Sequence, residues 1–170
     1  MKRLALPLLV ALALLALPRA SAQAQDLSPR FGAGFNAMIS TEDGFGIGAR
    51  FRGSAPVNRD LSIGIDLGLT GFIFEGRDDA SYVADPQISV IVTLPSSTSE
   101  RLTYFVGGVG AYLPFQDGST NGNAAPTLHF GIGRVRPLTD TSVFYEVNPA
   151  IIIGENSVNL LLPVRVGVIF

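Results

Sequence analysis

Cysteine and tryptophan are both absent from this sequence. Without cysteine, a fold held by disulfide bonds, a thiolate metal site and a cysteine nucleophile are all excluded. Without tryptophan, any aromatic girdle at a membrane surface must be built from Phe and Tyr. The stability of the protein must therefore come from side-chain packing or from closure of a sheet.

Lysine occurs only once, at Lys2. After residue 22, nine arginines face fourteen Asp and Glu residues, which gives a net charge of about −5. No block of basic residues stands out. Because nucleic-acid phosphates are bound by clustered Lys and Arg side chains, we expect no nucleic-acid partner.

The longest apolar run lies at the start of the chain. "KR" at positions 2–3 precedes an apolar stretch over 4–17, and "ASA" follows at 20–22. This pattern is typical of a secretory signal peptide, and the run is short for a transmembrane helix of about 20 residues. We expect cleavage after Ala22, with Ala24 as a second candidate. The chain then divides into a signal peptide (1–22), a short N-terminal lead (23–30) and one domain (31–170).

Helical periodicity is rare in the remaining sequence, and alternation of apolar and small or polar residues dominates. Turn-rich segments such as "STEDG" and "PLTDTS" separate the alternating stretches. Eight such stretches are present: Phe31 to Ile39, Phe45 to Phe51, Leu61 to Phe74, Gln87 to Leu94, Leu102 to Phe115, Thr127 to Val135, Val143 to Gly154, and Asn159 to Phe170.

The two faces of these strands differ in bulk as well as in polarity. In "LSIGIDLGLT" (61–70) every odd position is Leu or Ile, and every even position is Ser, Gly, Asp or Thr. A glycine-rich polar face suits the crowded interior of an eight-stranded barrel better than a water-facing surface. A sandwich or a lipocalin-like barrel would instead bury the bulky face. We therefore predict an all-β fold, an eight-stranded antiparallel up-and-down transmembrane β-barrel.

The lengths of the connections predict an orientation. An even strand number places both termini on the periplasmic side, so the first, third, fifth and seventh connections face outward. The two longest connections, "EGRDDASYVADP" and "QDGSTNGNAAP", both belong to this outward set. The outward loops Glu75–Asp85 and Gln116–Ala125 are the predicted contacts for surface ligands.

From about Phe31 to Phe170 the chain resembles the small bacterial outer-membrane β-barrels of the OmpA and OmpX type. The resemblance rests on the export signal, the eight alternating strands and the ending "VRVGVIF". It implies location in the bacterial outer membrane and contact with outer-membrane lipid. It also implies that the barrel-assembly machinery recognises outward side chains of the last strand, namely Val164, Val166, Val168 and Phe170.

Alternation turns five charged residues into the lumen: Arg50, Arg52, Asp66, Glu146 and Arg165. A turn at 155–157 places Glu146 nearly opposite Arg165, and the second hairpin places Arg50 near Asp66. Buried charges are tolerated when they are paired and hydrogen-bonded. We hypothesise a salt-bridge plug that blocks water and ions. The alternative is that these residues are simply solvated in the lumen.

Four residues fit the barrel less simply. Pro149 and Pro163 fall inside strands, where each removes a ladder hydrogen bond, so we expect a bulge or a late strand start. Arg134 and Arg136 fall on the lipid-facing side of the sixth strand. They suit a membrane barrel if they lie at the periplasmic interface, where arginine side chains can extend to water.

Little in the sequence indicates an enzyme. The only histidine, His129, is followed two residues later by Gly131 rather than by the serine of a lipid A deacylase-like site. We expect no cofactor and no metal site, since the acidic residues before and at Asp85 are interpreted as solvated loop residues. The favoured function is a non-enzymatic structural or surface-interaction barrel. The alternatives are a small-solute or hydrophobic-molecule channel, a lipid A-modifying enzyme and a soluble periplasmic lipocalin-like binder.

Overall fold

A computed structural model describes residues 28–41, 43–72, 81–94, 102–115, 124–154 and 157–170. The predicted signal peptide, residues 1–22, and most of the lead lie outside these ranges. Within them, no helix has the length and hydropathy needed to cross a membrane. The described residues form the strands β1 (Arg30–Ser40), β2 (Gly44–Pro56), β3 (Leu61–Phe72), β4 (Ser81–Thr93), β5 (Leu102–Pro114), β6 (Ala125–Pro137), β7 (Ser142–Val147), β8 (Ala150–Ile153) and β9 (Val158–Ile169).

The strands form a closed antiparallel barrel with eight positions. β7 and β8 share the seventh position, because both pair with β6 on one side and with β9 on the other. β9 returns to pair with β1. At this closure Phe31 and Phe170 exchange backbone hydrogen bonds of 3.1 and 2.8 Å. The predicted eight-stranded antiparallel barrel is confirmed.

The barrel has two distinct ends. Strand β1 starts and β9 finishes at the same end, which also carries the turns at 57–60 and 138–141; we call it the terminal end. The β1–β2 turn at 41–43 lies at the other end, called here the opposite end. With both described chain ends at one end of the barrel, every second connection falls at the opposite end.

Alternation along the strands separates an apolar outer surface from a packed lumen. In β3 the outward residues Ile63, Ile65, Leu67 and Leu69 are all exposed, whereas the lumen residues between them are buried. The same pattern runs along β9, where the exposed side chains are apolar and the buried set includes Arg165. The buried charged side chains of this barrel therefore lie inside it and its outer face is apolar, as the sequence predicted.

The expectation of a bulge or a late start at the prolines was wrong. β9 runs through Pro163 without interruption, and β7 and β8 keep a single register with β6 and β9 on both sides of Pro149. The fixed φ of proline is compatible with an extended strand, so the cost is the missing N–H alone. Neighbouring bonds remain, since Asn148 N–H donates to the Pro163 carbonyl at 3.1 Å and Phe130 N–H donates to the Pro149 carbonyl at 3.0 Å.

The fourth strand is longer than predicted. It begins at Ser81 rather than at Gln87, so residues 81–85 of the predicted loop Glu75–Asp85 belong to β4. Pro86 lies inside this strand, and pairs on both sides of it keep one register with β5. Ala125, predicted as the end of the other long loop, is the first residue of β6. The loop segments 75–80 and 116–123 lie outside the described residues.

Candidate functional site in the barrel lumen

Glycines on the lumen face allow side chains from strands two positions apart to meet. Such strands lie about 10 Å apart, and a side chain on the strand between them would fill the gap. Gly133 separates Tyr104 on β5 from Glu146 on β7, and the Tyr104 hydroxyl donates to Glu146 Oε2 at 2.8 Å. A Cβ at Gly133 would collide with the Tyr104 ring. Glycine is therefore needed there for the hydrogen bond across it.

The same arrangement recurs at three other glycines. Gly48 separates Asn36 from Thr70, Gly68 separates Arg50 from Asp85, and Gly108 separates Ser89 from His129. Each flanking pair is hydrogen-bonded over its glycine. The crowding inferred from the glycine-rich face thus has a specific form, in which a glycine on one strand makes room for a polar pair from its two neighbours.

Glu146 accepts hydrogen bonds from three side chains in the lumen. Its carboxylate accepts from Arg52 Nη1 and Nη2 at 2.7 and 3.1 Å, from Arg165 Nη1 at 2.6 Å and from the Tyr104 hydroxyl. The residue is 2% exposed, and Arg165 is 1% exposed. Arg52 also lies 5.6 Å from the centre of the Phe144 ring. The carboxylate is thus buried but fully surrounded by donors, as a buried charge requires.

The charged and amide side chains form a closed ring across the lumen. From Glu146 it passes through Arg52 to Asp66 (2.7 Å), and Asp66 lies 3.7 Å from Arg50, which binds Asp85. Asp85 accepts from Gln87 at 2.8 Å, and Gln87 accepts from Arg165 at 3.2 Å. We call this set the ion-pair ring; its members are Arg50, Arg52, Asp66, Asp85, Gln87, Glu146 and Arg165. Three guanidinium groups face three carboxylates, so the ring is electrically balanced.

All five charged residues predicted for the lumen belong to this ring. Glu146 and Arg165 are direct partners across β7 and β9. The expected proximity of Arg50 to Asp66 is confirmed by their 3.7 Å ion pair, although Asp66 lies directly opposite Arg52 and makes its shorter contact there. Arg50 also binds Asp85, a residue that the sequence analysis assigns to a solvated loop. Asp85 is buried in β4, so that assignment was wrong.

A second layer of buried side chains lies in the lumen towards the opposite end. It consists of apolar side chains that share the lumen face with the glycines: Met38, Phe72, Val83, Tyr112, Ala150, Ile152 and Leu161. The Tyr112 hydroxyl donates to Asp43 in the β1–β2 turn, which fixes that turn to β5. We call this set the apolar layer. The sequence reasoning missed it because only the polar residues of the lumen face were considered, although alternation places these residues there as well.

His129 has a serine partner that the sequence did not suggest. Ser89 Oγ lies 3.0 Å from His129 Nε2, across Gly108. The two residues are 40 positions apart in the sequence and lie on strands that are not adjacent, so no local sequence pattern relates them. Both side chains are buried in the lumen, at 1% and 2% exposure, so the pair lacks the access to substrate that a nucleophile and base need. Among the described residues, no group of His, Asp and Glu could hold a metal ion.

Asn148 is a buried polar side chain in the lumen without a hydrogen-bond partner. Asn148 lies between β7 and β8 and is 0% exposed, and neither atom of its amide group has a hydrogen bond. Its Oδ1 faces Gly131 on β6, where an added Cβ would come within 2.8 Å of it. A buried amide without partners costs about 1–3 kcal/mol. The Asn148 amide is therefore buried in the lumen without any hydrogen bond that would offset the cost of its burial.

Known proteins resemble this chain in structure only. No protein-family model and no curated protein sequence matches it. Neisserial surface protein A has a TM-score of 0.71 at 14% identity, covering 83% of this chain and 95% of that one. The N-terminal β-barrel domain of Pseudomonas aeruginosa OprF has a TM-score of 0.56 at 12% identity, covering 86% and 100%.

Ail, the attachment invasion locus protein of Yersinia pestis, has a TM-score of 0.51 at 14% identity, covering 84% of this chain and 97% of that one. All three likenesses extend over nearly the whole of the known barrel and more than four fifths of this chain. Together with the closed antiparallel sheet, they give this protein the fold of the small eight-stranded outer-membrane barrels of the OmpA and OmpX type.

Proposed function

We propose that this protein is a non-enzymatic barrel of the bacterial outer membrane, with a lumen closed to solutes and loops that face outward. The observation that carries the proposal is the combination of an apolar outer surface with buried ion pairs inside the barrel. A soluble barrel has the reverse arrangement. The same combination argues against the soluble lipocalin-like alternative.

The outer surface supports insertion into a bilayer. Phe35, Ile65 and Phe130 are exposed by 74%, 65% and 64%, and residues of the same kind surround the barrel. Such a surface would be an aggregation hazard in water. The uninterrupted strands contain 11 to 13 residues. At about 3.3 Å per residue and a tilt of about 40°, they span roughly 30 Å, the thickness of the hydrocarbon core.

The lumen supports a closed barrel rather than a channel. An ion moving along the axis would have to pass both the ion-pair ring and the apolar layer. Opening the ring means separating buried charges from their partners, at a cost of about 3–5 kcal/mol for each pair that loses one member. Apart from the Tyr112 hydroxyl, which is bound to Asp43, the side chains of the apolar layer carry no polar group that could replace the hydration shell of an ion. We propose that the two layers act as seals in series.

An orientation and partners are also proposed, by analogy with small outer-membrane barrels. We propose that the terminal end faces the periplasm and that the outward connections, which include 73–80 and 116–123, contact surface ligands. A surface role is in keeping with the names of two similar proteins, a neisserial surface protein and an attachment invasion locus protein. Recognition of Val164, Val166, Val168 and Phe170 by the barrel-assembly machinery stays a prediction.

Membrane fractionation combined with heat-modifiable gel migration tests this proposal. The protein is expressed in a Gram-negative host, and the outer-membrane fraction is run on a gel with and without boiling. We expect the protein in that fraction, with faster migration before boiling because the closed barrel stays folded in the detergent. Recovery in the soluble periplasmic fraction, without a mobility shift, would overturn the proposal and favour a soluble binder.

A further inference from the structure

Two arginines are exceptional on the outer surface of the barrel. Across all of the described strands, Arg134 and Arg136 are the only charged side chains on the outward-facing positions. Both lie on β6, both are exposed, and no carboxylate of the described residues forms an ion pair with either. Among the described residues these two positive charges therefore have no carboxylate partner, and the outer strand positions around them carry no other charge, so a ligand of opposite charge would complement them.

Hydroxyl groups flank the first of these arginines. Arg134 is paired with Thr103 on β5 and with Tyr145 on β7, and all three side chains point outward. Tyr145 is 56% exposed. Arg136 lies two residues further along the same face, about 7 Å away. Guanidinium groups bind phosphate oxygens in a bidentate manner, and hydroxyls supply further hydrogen bonds to such oxygens.

The position of this cluster along β6 fits a lipid headgroup. Arg136 is one residue from the terminal end of the strand. In the other direction the same face continues with the exposed apolar residues Ile132, Phe130 and Leu128. A ligand with a phosphate and a long hydrocarbon chain would meet cationic groups at the rim and apolar side chains towards the middle of the barrel.

We propose that Arg134 and Arg136, together with the hydroxyls of Thr103 and Tyr145, bind the phosphate of an anionic glycerophospholipid in the leaflet at the terminal end. This inference rests on the proposed membrane insertion. It goes beyond general contact with lipid, because it assigns one headgroup site to one strand and predicts selectivity for a negatively charged lipid over a zwitterionic one. Selectivity arises because a zwitterionic headgroup carries its own cation, which opposes the two arginines.

Native mass spectrometry of the folded barrel in mixed micelles tests the site. The micelles contain equal amounts of phosphatidylglycerol and phosphatidylcholine with the same acyl chains, and the retained lipids are counted. We expect the wild type to retain phosphatidylglycerol in about tenfold preference, as two arginines near the lipid phosphate would give. The R134Q/R136Q variant should retain the two lipids almost equally.

A matched control separates the site from overall charge. Arg30 and Arg59 are also exposed at the terminal end, but one lies at the rim of β1 off the outer face and the other lies in the 57–60 turn. The R30Q/R59Q variant loses the same two charges and should keep the preference of the wild type. An equal loss of preference in both variants, or no preference in the wild type, would overturn the lipid site while leaving the barrel proposal intact. A wild type that shows no heat-modifiable migration would overturn both proposals.

Discussion

Replacing Glu146 with alanine removes the carboxylate that accepts hydrogen bonds from Arg52, Arg165 and Tyr104. Two arginines then lose an ion-pair partner inside the lumen. Arg52 keeps Asp66, whereas Arg165 keeps only the neutral Gln87. The variant therefore leaves one buried guanidinium without any carboxylate, which is the most costly outcome available in this ring.

The expected cost follows from that loss. Removing one member of a buried ion pair destabilises a protein by about 3–5 kcal/mol. We expect E146A to lower the free energy of unfolding by about 4 kcal/mol, which changes the folding equilibrium by a factor of about 1,000. E146Q keeps the shape of the side chain and one acceptor oxygen, so we expect a smaller loss of about 2–3 kcal/mol.

Urea titration of the protein in phospholipid vesicles measures this difference, with the folded fraction read from the fast-migrating band before boiling. Asp140 provides a matched control, because it is an exposed carboxylate in the 138–141 turn. D140A removes the same charge and should stay within about 0.5 kcal/mol of the wild type. If E146A unfolds at the same urea concentration as D140A, the ion-pair ring does not stabilise the barrel and the reasoning is refuted.

Further substitutions test the other parts of the lumen. G108A should destabilise the barrel by more than about 2 kcal/mol, because the added Cβ would collide with the Ile88 carbonyl oxygen. G53A should be neutral or slightly stabilising, because its Cβ would meet only Phe31 ring atoms at about 3.7 Å. Equal urea midpoints for the two variants would contradict this expectation. N148L should stabilise the barrel by about 1–2 kcal/mol by removing a buried amide without partners, and a lower urea midpoint would indicate that the amide is satisfied. The double variant E146Q/F72A should produce conductance steps in a planar bilayer. Neither single variant should do so, since each single variant leaves one of the two layers closed. Conductance steps from either single variant would contradict two seals in series.

Much of the fold could be predicted because one physical rule dominates the sequence. The outer face of every strand is almost uniformly apolar, so period-two alternation assigned the lumen face of strands such as Leu61–Phe72 without ambiguity. The partnership of Glu146 with Arg165 followed from the short final hairpin, whose turn fixes the register. Alternation and turn length thus predict the pairing of adjacent strands.

Contacts between strands that are not adjacent could not be predicted in the same way. Ser89 meets His129, and Arg50 meets Asp85, only because a glycine on the strand between them leaves room. Predicting such pairs requires the correct register of two successive hairpins. An error of one residue in the register of either hairpin moves the side chains of the strand to the opposite face.

Proline caused the remaining error in the site. Pro86 normally marks the limit of a strand, so β4 was started too late and Asp85 was assigned to a loop. In the barrel the strand continues through Pro86, and between Val83 and Thr93 the β4–β5 pairs are missing only at Asp85 and Pro86. Pro149 is tolerated in a similar way, with the strand interrupted only at Asn148 and Pro149. The hydrogen-bonded strand pairs on both sides of each proline hold the strand in register. A sequence pattern does not show these pairs.

The central claim, a membrane barrel with a closed lumen, is tested most directly by the conductance of the wild-type protein in a planar bilayer. Insertion is verified first by heat-modifiable migration of the same reconstituted sample. The ion-pair ring and the apolar layer predict a bilayer that stays at its baseline conductance after insertion, at every applied voltage that the bilayer survives. Reproducible conductance steps from the folded wild type would contradict the closed lumen and favour the small-solute channel.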